Sequence, residues 1–348
     1  MRSNIGICGH FNIGSDAVGG QTIKTRIISE TLSEVYGADD VQTLDTANWK
    51  RKAPLFFFQC IRLAHRSENI IILPAQNGIK VLIPLFVFMS KIFKNKVHYI
   101  VVGAWLADSI EENPFLLKQI KRIDYVYPQT ATLKEKLDRL GVCNTYLMPN
   151  FKNVAPVNPK DFDLHYQEPF KLCVMSRINQ EKGIDSAIQV VRKLNQKHNS
   201  VFLKLDIYGP IDKDYETEFH RLVRDNRSFV SYKGVVDYNN TVDTLKEYYL
   251  LLFPTRYYTE GFPGTILDAY LSGLPVLASR WESWADVIEE GRTGYSYEFN
   301  NEDDFLRKLE FLVANPDRVA SMRINCINRA NQYRPESAIK VLIQNLGL

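Results

Sequence analysis

Two carboxylates, Glu260 and Asp268, stand eight positions apart in the stretch TEGFPGTILDAYLSGLPVLAS, residues 259–279. A glycine-proline turn separates them, and the second falls one turn into an apolar helix that ends at a glycine and runs into a strand. Carboxylates accept hydrogen bonds from hydroxyls, while the amides of Gly261, Phe262, Gly264 and Thr265 at a helix start suit a negative charge. The pattern fits a ligand with hydroxyls at one end and an anion in its middle. Taken singly, each carboxylate also reads as a solvated surface charge; the whole set reads as a site.

Two further stretches point to an anion. In MSRINQEKG, residues 175–183, a strand delivers Arg177, and Lys182 follows at the mouth of a helix. Arginine offers a planar fork to phosphate oxygens and lysine a point charge, and Gly183 opens a helix whose first amides are free. Alone, both cations also read as solvated loop charges. In GHFNIGSDAVGGQ, residues 9–21, Gly14, Gly19 and Gly20 let backbone approach an anion, and a helix from about Gln21 points its dipole there. This is not the GxGxxG dinucleotide fingerprint, and a loop using glycine merely to turn is the plainer alternative.

The elements that must hold these residues alternate. Strands are predicted at 4–9, 41–45, 69–74, 97–103, 124–129 and 144–150, with helices at 21–36, 54–66, 78–93, 114–121 and 130–140. Between Pro149 and Pro169 four prolines interrupt the pattern, which marks a linker. A second series follows, with strands at 170–176, 202–209, 230–234, 249–255 and 275–279. Its helices are predicted at 183–195, 213–225, 240–247, 264–272, 302–314 and 315–332, and a closing one at 336–348. β-branched strands alternating with helices imply parallel α/β sheets covered on both faces. The expected architecture is two doubly wound, Rossmann-like domains, 1–165 and 166–332, facing a central cleft at the carboxyl ends of both sheets. The segment 333–348 is expected to cross back to the first domain.

Composition narrows the function classes. The 348 residues carry a formal charge of +3, compatible with an anionic ligand or membrane surface and too weak to imply nucleic acid. Five scattered cysteines without a CxxC pair argue against structural zinc and for a reducing compartment. MRSNIGICGH reads as a strand entering a glycine, so no signal peptide is expected, and a cytoplasmic location is. The apolar run Ile79–Phe93 contains Pro84 and Lys91 and reads as too short to span a bilayer. Its basic flank, KIFKNK at 91–96, suits either contact with an anionic membrane or the solvated end of a buried helix.

MSRINQEKG, LDIYGP, VSYKGVV and PTRYYTEGFPGTILDAYLSGLPVLASRWESWADVIEEGRTGY, in this order, resemble the C-terminal domain of family 4 retaining glycosyltransferases of GT-B fold. GGQTIKTRIISETL is similar to that family's first loop and helix, and the resemblance is strongest over 170–298. The family's E-x7-E element appears here as Glu260-x7-Asp268. The resemblance implies that Arg177 and Lys182 clamp the donor diphosphate and neutralise charge on the leaving group, with the Gly20 amide on the same phosphates. It implies Glu260 on the donor sugar, with the amides of Gly261, Phe262, Gly264 and Thr265 around it, and Asp268 on the ribose. Val235, Val236 and the turn Tyr208, Gly209, Pro210 would flank the base.

The family resembled works without a metal or other cofactor, and neither ADD at 38–40 nor DKD at 212–214 forms a convincing DxD site. Retention at the anomeric carbon is implied, by same-face attack in which the departing β-phosphate takes the acceptor's proton. The family's histidine after the fourth strand is missing: Gly103, Ala104 and Trp105 stand there, and His98 reads as core. His10, Asn12, Trp105 and Asp108 are the candidates to line the acceptor pocket, although Trp105 equally suits packing.

The implied reaction moves a sugar from a nucleotide-diphosphate donor, a UDP-sugar first, to a glycan or polyprenyl-linked sugar. The N-terminal sequence resembles enzymes of bacterial capsule, exopolysaccharide or O-antigen synthesis, which work at the inner face of the cytoplasmic membrane. A GT-B-like sugar-nucleotide epimerase and a non-catalytic sugar-nucleotide-binding partner subunit are the alternative readings.

Overall fold

The computed structural model describes residues 3–13, 19–162 and 166–348. The chain divides into two compact units, residues 1–153 with 334–348, and residues 154–333.

Unit 1 is built on five parallel strands: β1 (Ser3–Gly9), β2 (Val41–Asp45), β3 (Ser67–Ile72), β4 (Lys96–Ile100) and β5 (Tyr125–Tyr127), in the order β2-β1-β3-β4-β5. The step from β1 to β2 runs one way along the sheet, and the later steps run the other way. Right-handed crossovers therefore place helix Gly20–Tyr36 on one face and helices Ala53–Arg66, Gln76–Phe93 and Pro114–Ile120 on the opposite face. The apolar clusters agree. Phe56, Cys60 and Leu63 share one core with Ile79, Leu82, Phe86, Leu116 and Ile120. Ile28 and Leu32 share the other with Ile5 and Ile7.

The segment 144–150 is not a strand. It makes a single bridge, Val126 to Thr145, and Met148 N–H bonds the carbonyl of Pro128. Pro128 has no N–H to return, and Pro149 follows at once, so no ladder propagates. Helix Leu106–Glu111 was also absent from the sequence reading.

Residues 334–348 form two short helices, Pro335–Ala338 and Lys340–Leu346, rather than one. Ala338, Ile339, Leu342 and Leu346 complete the cluster that holds Ile5, Ile7 and Ile28. Asn345 Nδ2 donates to the Tyr127 hydroxyl at 3.2 Å. That hydroxyl also lies 3.0 Å from His98 Nδ1, and His98 Nε2 lies 3.0 Å from Asn69 Oδ1. His98 is thus a buried core residue, held neutral by burial and by nearby Lys96, with its pKa down at about 3. Lys24 reaches into the same side of the sheet, its ammonium 5.5 Å from the Phe151 ring and, among the described residues, without a hydrogen-bond partner. Burial brings its pKa down to about 7.

Unit 2 has six parallel strands: β6 (Phe170–Met175), β7 (Leu203–Tyr208), β8 (Val230–Tyr232), β9 (Leu250–Phe253), β10 (Val276–Ser279) and β11 (Gly294–Tyr297). Their order is β11-β10-β9-β6-β7-β8. This is the doubly wound order whose direction reverses between the first strand and the fourth, here β6 and β9. Strand β11 and helix Trp284–Val287 had no counterpart in the sequence reading. The chain enters this unit at Val154, earlier than the boundary expected at 165. Val154 and Val157 pack on the core, and Val157 N–H bonds Leu271 O at 2.8 Å.

Candidate functional site

The reversal point of unit 2 gathers what the sequence had spread over 175–183 and 254–268. Lys182, in the turn after β6, puts Nζ 2.5 Å from Glu260 Oε2 in the loop after β9, and the two side chains are 19% and 16% exposed. The Thr255 hydroxyl donates to the same Glu260 oxygen at 3.3 Å. Asn179 shapes the lysine's turn: its side chain accepts from Lys182 N–H at 3.2 Å and donates to Asp212 at 3.1 Å.

Arg177 reaches out from the same turn. Its side chain is 67% exposed, with Nε 3.6 Å from Asp212 Oδ1, beyond hydrogen-bonding distance. It is placed to reorient toward an anion at little cost.

Two glycines let the strand-end loops touch. Gly183 has φ +63°, and a Cβ there would lie 2.0 Å from Pro254 O. Gly209 has φ +132°, and its Cβ would lie 1.8 Å from Ser176 O. Only glycine permits both the dihedral and the approach. Arg256 closes the same region, bonding Asp185 at 2.8 Å and the Ser186 hydroxyl at 2.7 Å, while its amide donates to Glu181 O at 2.7 Å.

Helix Gly264–Leu271 starts directly beyond Glu260 and has no side-chain cap. Among the described residues, the N–H groups of Gly261, Gly264 and Thr265 make no hydrogen bond, and the Thr265 hydroxyl is buried without a partner. These donors, with Lys182 and Arg177, can hold an anion.

Other expected residues turn away from the loop. Phe262 is buried and its ring meets Tyr333 edge-on at 4.7 Å, so only its backbone faces the turn. Tyr208 is buried, with its hydroxyl 2.7 Å from that of Tyr248, which donates to Asp206 at 2.8 Å. Burial pushes the Tyr208 pKa up. Asp268 is 9% exposed and accepts from the Thr241 hydroxyl at 3.2 Å. Val236 is half-buried, and Val235 is exposed beside it. Asp212, Thr255, Asn179 and Arg256 were not singled out from sequence, since each is a common loop residue whose partner lies far along the chain.

In unit 1 the loop after β1 is fastened by Asp45 at the end of β2. Its carboxylate accepts from the amides of Phe11 at 3.0 Å, Ile13 at 3.1 Å and Ala47 at 2.9 Å. Burial alone would raise its pKa, but these amide donors hold it below the usual carboxylate value. Arg26 Nε donates to Phe11 O at 2.9 Å from the other side. His10 and Asn12 thus stand on a fixed loop, with Asn12 at φ +50°. Gly20 opens its helix, with nothing among the described residues within 4 Å of an added Cβ. Gly14 lies outside the described residues. Trp105 is half-buried against the unit 1 core, and Asp108 pairs with Lys136 at 3.1 Å. Among the described residues, no three His, Cys, Asp or Glu side chains cluster where a metal could sit.

Known proteins give this geometry its setting. The fold is similar to that of HepE from Anabaena, solved with UDP and glucose, at 15% identity and a TM-score of 0.73, over 99% of this chain and 100% of that one. It is similar to sucrose-phosphate synthase from Thermosynechococcus elongatus at 14% identity and a TM-score of 0.76, over 99% and 98%. TarM of S. aureus matches at 19% identity and a TM-score of 0.67, over 84% of this chain and 58% of its own. No curated protein sequence matches. Two parallel-sheet α/β units with these neighbours make the fold GT-B. The profile of the family described as Glycosyl transferases group 1 matches residues 159–333, half of the chain, and the protein belongs to that family.

Proposed function

We propose that this glycosyltransferase takes a hexosyl group from a UDP-sugar and passes it, with retention, to a glycan or polyprenyl-linked sugar during bacterial surface-polysaccharide assembly. The observation that carries the reading is the Lys182–Glu260 pair beside the uncapped amides of Gly261, Gly264 and Thr265. A carboxylate for sugar hydroxyls and an anion site for a diphosphate lie within one loop system. HepE, solved with UDP-glucose, and pneumococcal GtfA, solved with UDP and GlcNAc, support the choice of donor.

Lys182 and Glu260 neutralise each other in the free protein. A donor diphosphate draws the ammonium toward its oxygens and leaves Glu260 free to accept from sugar hydroxyls. Arg177 swings from Asp212 to the same phosphates. As the anomeric C–O bond breaks, negative charge builds on the β-phosphate, and two cations held beside it favour that state over the ground state. The phosphate oxygen, still on the face it left, takes the acceptor's proton as the new bond forms. Asp268, held by the Thr241 hydroxyl, is assigned the ribose from its place in the Glu260-x7-Asp268 element.

The first test is a thermal-shift screen against UDP-, GDP-, ADP- and dTDP-sugars on wild type and Arg177→Ala. Stabilisation by the UDP series, lost in the variant, supports the reading. Stabilisation by another series alone overturns the donor, and no shift by any donor overturns the site. Product analysis then separates the reactions: transfer yields a larger glycan, and epimerisation a rearranged donor.

A further inference from the structure

Helices Ala53–Arg66, Gln76–Phe93 and Pro114–Ile120 form one layer on one face of the unit 1 sheet, so their outward sides share one surface. His65 and Phe93 meet edge-on at 5.7 Å and hold the ends of the first two side by side. That surface is unusually apolar for one facing water. Leu55, Phe58 and Ile61 are 54%, 64% and 46% exposed, Phe88 and Ile92 63% and 57%, and Phe115 60%. Helix Gln76–Phe93 is long and apolar enough to cross a bilayer by length and composition. However, Ile79, Leu82, Ile83, Phe86, Val87 and Met89 face the core, which leaves its outer strip for a membrane surface.

The charge of the layer has one sign. None of the three helices contains Asp or Glu. Arg62, Lys91, Lys94 and Lys118 make no ion pair or side-chain hydrogen bond among the described residues. Exposed phenylalanines and aliphatic side chains on helices that also carry these cations match a bilayer interface, where rings enter the acyl boundary and ammonium and guanidinium groups stay among anionic headgroups. Against a second copy of this face the same cations would meet each other, which disfavours self-association.

We propose that this three-helix face docks on an anionic lipid bilayer, with Phe58, Phe88 and Phe115 entering the interface and Arg62, Lys91, Lys94 and Lys118 binding headgroups. The proposal is independent of the donor chemistry, and its test uses no sugar nucleotide.

Flotation of the full chain with phosphatidylcholine–phosphatidylglycerol vesicles, and with pure phosphatidylcholine, measures it. Wild type is expected to float with the mixed vesicles and to be released by high salt. Phe58→Ser with Phe88→Ser, and Arg62→Gln with Lys91→Gln and Lys94→Gln, are each expected to weaken binding by about tenfold or more. All five positions are exposed, so both variants are expected to keep the wild-type melting temperature. Wild type that stays with the soluble fraction overturns the proposal, as does flotation that neither variant weakens. A dimer in sedimentation that the Phe58 and Phe88 changes dissolve also overturns it, assigning the face to a protein contact instead.

Discussion

Lys182 and Glu260, 78 positions apart, share a 2.5 Å ion pair that ties the loop after β6 to the loop after β9. Both side chains are less than one-fifth exposed, so each charge depends on the other. Lys182→Met leaves the carboxylate with the Thr255 hydroxyl as its remaining hydrogen-bond partner among the described residues and is expected to cost about 1–3 kcal/mol in chemical denaturation. Adding Glu260→Gln is expected to return most of that loss. Sugar transfer should fall by about 100-fold or more in single and double variants alike. Stability losses that simply add would show that the pair is not coupled.

Gly183→Ala tests the backbone contact beneath the pair. The dihedral is left-handed, and the new methyl would stand 2.0 Å from Pro254 O. Destabilisation of about 2 kcal/mol or more is expected, together with loss of nucleotide-induced stabilisation. Gly20→Ala is the contrast, since its methyl meets nothing among the described residues within 4 Å, and a change of under about 1 kcal/mol is expected. Equal effects from the two substitutions would refute the assignment.

His98 predicts an acid-sensitive fold. Its folded pKa of about 3 lies below the ordinary value of 6.5, so the unfolded chain takes up a proton that the folded chain refuses. The stabilisation is complete above about pH 6.5 and declines toward pH 3, by up to about 1.4 kcal/mol per pH unit. Between pH 6.5 and 5, wild type is expected to lose about 2 kcal/mol more than His98→Gln in urea titrations. Parallel losses would place the sensitivity elsewhere.

Lys24 carries the opposite opportunity. A buried ammonium without a hydrogen-bond partner among the described residues opposes folding, and its pKa of about 7 lies below the ordinary 10.5. The unfolded chain holds that proton up to high pH, so the cost is full below pH 7 and fades as pH climbs to about 10. Lys24→Met is expected to raise the melting temperature at pH 7, with the gap to wild type narrowing by about half at pH 9. A variant less stable than wild type at both pH values would mean that the amine has a partner.

The sequence exposed the site unevenly, for physical reasons. Lys182 and Glu260 could be paired only in the structure, since each taken alone in the sequence, like Arg177, also reads as a solvated loop charge. The inward turns of Phe262 and Tyr208 were not legible, because backbone and side chain of one residue serve different neighbours there. Asp45 looked like an ordinary strand terminus, since its amide partners, Phe11 and Ile13, lie 34 and 32 residues away. Alternation of apolar segments revealed both sheets, but β11 hid behind the turn at 289–293. Helix Ala53–Arg66 concealed its outer strip because PLFFF is apolar on every side, and periodicity cannot tell which side faces the sheet.

The return of residues 334–348 to unit 1 bears on how the protein is made. Val154–Tyr333 is one unbroken stretch that can fold as it leaves the ribosome, whereas the surface around Ile5, Ile7 and Ile28 waits for Leu342 and Leu346. At about 5–20 residues per second, that apolar surface stays uncovered for on the order of ten seconds or longer. Nascent chains are therefore most prone to sticking in this interval, and a circular permutant that places the two closing helices ahead of β1 would abolish it.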